Sequence, residues 1–231
     1  MKSTISWSTT NGPVLTQFLN KCGAALTFRG SRNYWEKRYA GGRDSGAGSY
    51  GRFAKFKADC VNAFVTDNAI KSVIEFGPGD GNQLSLADYP RYIGLDVSRT
   101  AVSICQQRFS ADHSKSFFLY EPSAFTDHQR IFSAELALSL DVIYHLVEDD
   151  VFATYMTHLF NAADRFVIVY SSDREDRTIT PHVRHRRFTA WVEQNVRDWV
   201  LLTHFPNEFP YDPHDPENTS FADFFVYQRR Q

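Results

Sequence analysis

The sequence predicts an α/β protein: a doubly wound, seven-stranded, mostly parallel sheet with an antiparallel strand pair at the C-terminus and a helical lid at the N-terminus. Three observations carry this. From Ser72 onward, short apolar runs alternate with amphipathic helical segments, the pattern of a parallel sheet with crossover helices. One of those runs ends in a turn rich in glycine, Gly77, Gly79 and Gly81. The last two runs are joined by a stretch rich in proline and too short of helix formers for a crossover, so they pair antiparallel.

The elements follow in order. Residues 50–68 space Phe53, Phe56, Cys60, Val61, Phe64 and Val65 along one helical face. Strands are expected at 72–76, 91–96, 115–120, 134–140 and 165–170. Ser98 caps a helix that turns Ala101, Val102, Ile104, Cys105 and Phe109 inward. A second helix begins at Glu148, Asp149 and Asp150, acidic residues where the helix dipole favours negative charge. The tail supplies two more strands within 197–205 and 220–230. Residues 1–49 form the lid segment and residues 50–231 one domain.

The composition narrows the function classes. With 231 residues, 42% of them hydrophobic, the chain can bury one substantial core. A formal net charge of -2 provides no global field toward nucleic acid or an anionic membrane. No apolar run approaches the roughly 20 residues of a spanning helix, nor does the N-terminus read as a signal peptide, so a soluble, cytoplasmic protein is expected. Cys22, Cys60 and Cys105 are few, scattered and without metal-ligand spacing. They read as small buried hydrophobes, with no metal site. A homo-oligomer stays open.

Two glycine clusters compete for a ligand. Residues 46–51, Gly-Ala-Gly-Ser-Tyr-Gly, have dinucleotide-motif spacing but follow a charged aromatic segment instead of a buried strand. Flanked by Tyr34, Trp35, Tyr39 and Tyr50, they read as a lid over a ligand, the plainer reading being a flexible linker. The second cluster has the right context: a buried strand with Glu75, then Gly77, Gly79 and Gly81, then a helix. Glu75 suits a cationic, nucleoside-like ligand better than a pyrophosphate. Asp96 ends the next strand, where a carboxylate can accept both hydroxyls of a ribose, although Asp is also a common helix cap.

Together, the runs VIEFGPGDG, YIGLDVS and ALSLDVIYHL resemble consecutive motifs of the class I S-adenosylmethionine-dependent methyltransferases, across about residues 50–229. The resemblance implies a Rossmann-like methyltransferase fold and S-adenosyl-L-methionine as cofactor. It implies that the loop from Glu75 to Gly81 passes the methionine part, that Asp96, with Val97 beside it, binds the ribose, and that residues 123–125 lie near the adenine. Trp35 and Tyr39 join this cofactor set through the lid.

Asp141, Tyr144 and His145 fall at the carboxyl end of the fourth strand, where open α/β folds bind ligands. Methyl transfer asks a protein for alignment, desolvation and removal of one proton, for which His145 has a suitable pKa range. Asp141 is placed with both the cofactor and the catalytic group. His145 as a helix cap or loop-packing residue is the plainer alternative. Arg184, His185 and Arg186 follow the fifth strand, either as a solvated loop or as a grip on an anionic acceptor group.

The expected function is methyl transfer to a hydroxyl, or an amine, of a small polar molecule or glycan. Residues 34–39, 47–51 and 181–188 also bring a loose likeness to bacterial methyltransferases associated with surface-polysaccharide synthesis. The alternatives are an NAD(P)-dependent oxidoreductase on the same sheet topology, and a non-catalytic cofactor-binding module of a larger complex.

Overall fold

The computed structural model describes residues 28–177 and 180–230. Seven strands form one sheet: β1 (Val73–Phe76), β2 (Tyr92–Asp96), β3 (Lys115–Leu119), β4 (Ala134–Leu140), β5 (Ala163–Ser171), β8 (Trp199–Phe205) and β9 (Asp223–Arg229). Their spatial order is β3-β2-β1-β4-β5-β9-β8. β1 to β5 pair in parallel, whereas β9 runs antiparallel between β5 and β8. The expected strand set is present, with only β9 reversed.

Residue alternation along each strand explains the two layers. Val167 and Val169 face one core and Phe166, Ile168 and Tyr170 the other, and both faces are buried, so the strands read as continuous apolar runs. Helices α2 (Gly51–Asp67) and α3 (Arg99–Arg108) supply Val61, Val65, Val102 and Cys105 to one layer. Helices α4 (Asp149–Asn161) and α5 (Phe188–Asn195) supply Met156, Leu159 and Val192 to the other. Ser98 caps α3 as expected, accepting from Ala101 N at 3.1 Å.

Three features depart from the sequence reading. The glycine turn after β1 leads into a single 3-10 turn, Gln83–Leu86, where a helix was expected. Too few residues separate it from β2 for a full crossover helix, and α2 fills that place from the N-terminal side. Gln83 donates to Ala54 O at 2.9 Å, and Asn62 of α2 donates to Leu86 O at 2.9 Å. A two-stranded ribbon, β6 (Asp176–Arg177) with β7 (Arg184–His185), occupies the charged stretch after β5. Finally, Lys57 of α2 is buried at 1% exposure, inside a helical face that is otherwise apolar.

Of residues 1–49, helix α1 (Ser31–Ala40) and a 3-10 turn, Ala47–Ser49, are described; residues 1–27, with Cys22, lie outside the described residues. Cys105 is buried and Cys60 half-buried, both as free thiols. No helix among the described residues is long and apolar enough to cross a membrane.

Candidate functional site

A cavity of about 660 Å³ opens at the carboxyl ends of β1, β2 and β4, where the strand order reverses. The backbone turns that end those strands form its floor. Gly77, Gly79, Asp96, Val97, Asp141, Tyr144 and His145 line it, and Trp35 and Tyr39 of α1 close it from above.

Asp96 is 5% exposed and accepts from Gly79 N at 3.0 Å and Ser98 N at 2.8 Å. Burial outweighs those two bonds and raises its carboxyl to about 7. One carboxylate thus fixes the glycine turn and keeps lone pairs for further donors.

The segment from Ser31 to Tyr50 is tied down at both ends. Near its start, Ser31 donates from N and Oγ to Glu148, at 2.9 and 2.6 Å. Glu36 accepts from Ser98 Oγ and Thr100 Oγ1, both at 2.7 Å, extending the α3 cap onto α1. Burial alone would raise the Glu36 carboxyl, but the bonds from Thr100 and Ser98 prevail and lower it. Arg32 pairs with Glu121 across the rim. Farther along, Ser45 N and Tyr50 Oη both donate to Asp80 Oδ2, at 2.8 and 2.9 Å.

Glycine is required where the N-terminal segment and the cavity floor touch. Gly79 has φ +60°, and a Cβ there would lie 2.7 Å from Tyr39 Oη. A Cβ on Gly48, within the first glycine cluster, would stand 2.8 Å from Asp141 Oδ2. Both glycines bring this segment onto the carboxyl ends of the strands.

Asp141 joins a network that sequence reasoning missed. Its backbone has φ +60°, its Oδ2 lies 2.5 Å from Lys57 Nζ, and its Oδ1 accepts from Tyr144 Oη at 2.9 Å. Lys57 also sits over the Tyr170 ring, 5.4 Å from its centroid. The signal was present: in the row Phe53, Lys57, Val61, Val65, spaced by four along α2, a lysine breaks the apolar series.

His145 is half-buried against Trp35, ring centroids 4.8 Å apart. Its Nδ1 meets His182 O at 2.9 Å; a carbonyl only accepts, so the proton sits on Nδ1 and the lone pair on Nε2. Burial lowers its pKa to about 4, which keeps the ring neutral at pH 7. The site offers a neutral imidazole as a weak proton acceptor.

Five expected site residues stand away from the cavity lining. Glu75 lies in the sheet interior, accepts from Tyr92 Oη at 2.6 Å, and has its carboxyl pushed up by burial. Gly81 packs against Phe109 and Cys105 of α3. Arg184 and Arg186 both pair with Asp149, at 2.8 and 3.1 Å, and Arg186 also donates to Val147 O at 2.9 Å. His185 is buried and shares a 2.6 Å bond with Ser172 Oγ. Of residues 123–125, Ser123 reaches the cavity wall, while Phe125 packs against Tyr120 and His158.

No protein-family model matches the sequence, and no curated protein does either. Solved structures do match. N-methyltransferase NodS from Bradyrhizobium japonicum WM9, in complex with S-adenosyl-L-homocysteine, superimposes with a TM-score of 0.68 at 14% identity, over 87% of this chain and all of its own. Magnesium protoporphyrin IX methyltransferase (ChlM) from Synechocystis PCC 6803, with bound S-adenosylmethionine, gives 0.60 at 15% identity over 89% of this chain and 99% of its own. The methyltransferase domain of bacterial CtHen1 gives 0.58 at 18% identity over 77% and 98%. The shared property is the fold: this chain has the Rossmann-like fold of the methyltransferases.

Proposed function

We propose that the protein is an S-adenosylmethionine-dependent methyltransferase acting on a hydroxyl, or an amine, of a small polar molecule or glycan. The observation that carries the reading is the placement of Asp96 and the Gly77–Gly79 turn in one cavity at the strand-order reversal, beneath an aromatic lid. The residues suit a bound nucleoside. Asp96 would accept the ribose hydroxyls, Val97 and Ser123 would flank the adenine, and Asp141 would face the cationic methionine end. Trp35 and Tyr39 would cover the cofactor and exclude water.

The cofactor supplies an activated methyl group, and the chain's own task is to hold the acceptor in line and take up a proton. Neutral His145, in the cavity lining, has the right chemistry, with the lone pair on Nε2 and no bond to that atom among the described residues. Its low basicity requires the proton to leave late, when the acceptor atom has become strongly acidic through its new bond to carbon. Tyr144, held by Asp141, would orient the acceptor. A role in bacterial surface-polysaccharide synthesis rests on the sequence likeness of residues 34–39, 47–51 and 181–188, and a cytoplasmic setting goes with it.

Calorimetric titration tests the reading. S-adenosylhomocysteine should bind with about one site per chain, NAD should not, and Asp96→Ala should weaken the affinity by about 1 to 3 kcal/mol. Binding of NAD alone would overturn it in favour of the oxidoreductase.

A further inference from the structure

The cavity lining includes Asp141, Tyr144, His145 and Phe221. From there, Phe221 is the hub of a shelf that runs outward to Arg174 and Tyr211, which stand beyond the lining. Its ring packs edge-on against Tyr144 at 5.0 Å and His185 at 4.6 Å, and lies 6.2 Å from the exposed ring of Tyr211. The Arg174 guanidinium carbon is 5.8 Å from the ring centroids of both Phe221 and Tyr211.

Arg174 differs from Arg184, Arg186 and Arg32. Arg184 and Arg186 spend their charge on Asp149, and Arg32 spends its charge on Glu121. Arg174 is exposed and, among the described residues, has no carboxylate within ion-pair distance. The neighbouring Asp173 is occupied, accepting from Thr189 N and Oγ1 at 3.0 and 2.6 Å. What steadies Arg174 is His185 Nε2, which accepts from it at 3.4 Å while the imidazole is anchored to Ser172 on the other side. The exposed guanidinium stays in water, lies over two rings and has no counter-charge among the described residues, so it is available to an oxyanion that arrives from outside. The Phe221 and Tyr211 rings beside it, inclined at 59° to each other, offer an apolar corner against which a sugar face can rest.

We propose that Arg174, Tyr211 and Phe221 form the docking shelf for the methyl acceptor, and that the acceptor is a sugar ring carrying a carboxylate or phosphate. The proposal rests on the methyltransferase reading and makes it specific. Arg174 grips the oxyanion, Tyr211 and Phe221 support the ring, and Phe221 and His185 both lie between Arg174 and Tyr144, so a monosaccharide held on Phe221 presents its hydroxyls toward Tyr144 in the cavity lining.

The test uses the full chain saturated with S-adenosylhomocysteine, whose binding is measured first; failure at that step overturns the methyltransferase reading rather than the shelf. Three probes are then titrated by ligand-observed NMR: methyl glucoside, methyl glucuronide and glucose 1-phosphate. Both anionic sugars, or one of them, should bind about tenfold more tightly than the neutral one, the arm that does so identifying carboxylate or phosphate. Arg174→Gln should abolish that preference without altering S-adenosylhomocysteine affinity, Arg174→Lys should restore part of it, and Tyr211→Ala should weaken all binding sugars alike. No anionic preference at millimolar concentration, or a preference that survives Arg174→Gln, would overturn the proposal.

Discussion

The ammonium of Lys57 and the carboxylate of Asp141 meet at 2.5 Å in the cavity wall, one buried inside α2 and the other at the end of β4. Because the ammonium is out of water, its charge is balanced by Asp141, and Asp141 is fixed in turn, with Tyr144 on its second oxygen. Lys57→Met leaves a carboxylate without its counter-charge and should lower stability by about 3 to 5 kcal/mol. Adding Asp141→Asn should recover much of the loss. Thermal melts of the two single variants and the double variant measure the coupling, and strict additivity would show that the pair does not act as a unit.

Asp96 links pH to both stability and cofactor affinity. Its folded carboxyl is raised to about 7, so the folded chain holds a proton that the unfolded chain has already released above the ordinary carboxylate range. Stability contributed by this group is therefore full at low pH and declines as pH rises toward 7. Ribose hydroxyls donate best to the ionised form, so S-adenosylhomocysteine affinity should move the other way and strengthen as pH rises through about 7. Asp96→Asn should flatten both slopes, which melts and titrations at pH 6 and 8 would reveal.

For the lid, the expected outcome is slower amide exchange across residues 31–49 when S-adenosylhomocysteine is present, with β8 and β9 unchanged. Asp80→Ala removes the acceptor for Ser45 N and Tyr50 Oη and should speed exchange at the far end of the lid in the ligand-free protein. Identical exchange in all states would leave this segment a fixed wall of the cavity.

With an acceptor in hand, His145→Ala should reduce kcat by about 10² to 10⁴ and leave S-adenosylhomocysteine affinity intact. Burial holds the imidazole pKa near 4, so the neutral ring is populated from the lower edge of the physiological range upward, and an acid limb due to His145 falls near pH 4 and not near 6.5. A pH–rate profile with its acid limb between 6 and 7 would assign the proton transfer to another group.

Arg186 should prove structural. It donates to Val147 O and pairs with Asp149, joining β7 to the start of α4. Arg186→Ala should lower the melting temperature through the loss of about 1 to 3 kcal/mol, with KM for the acceptor unchanged. A raised KM at constant stability would return it to the acceptor site.

The sequence by itself determined the sheet. Alternating apolar runs, the Gly77–Gly81 turn and the Ser98 cap are local signals, and a strand buried on both faces cannot hide its composition, so β1 to β5 were legible nearly to the residue. Placing Asp96, Asp141, Tyr144 and His145 near one another required only that parallel strands end on the same side. Tertiary structure decided what long-range contact decides. The partner of Lys57 is 84 positions away, so the ion pair with Asp141 leaves no local trace beyond one lysine in an apolar row. Arg184, Arg186 and Arg174 look alike in sequence, but only packing shows that two of them face Asp149 while the third lies over Phe221 and Tyr211. Glu75 shows the same division: its place on β1 followed from the pattern, but its hydroxyl donor on the neighbouring strand, Tyr92, was fixed by the register of two strands that pair only when the sheet is assembled.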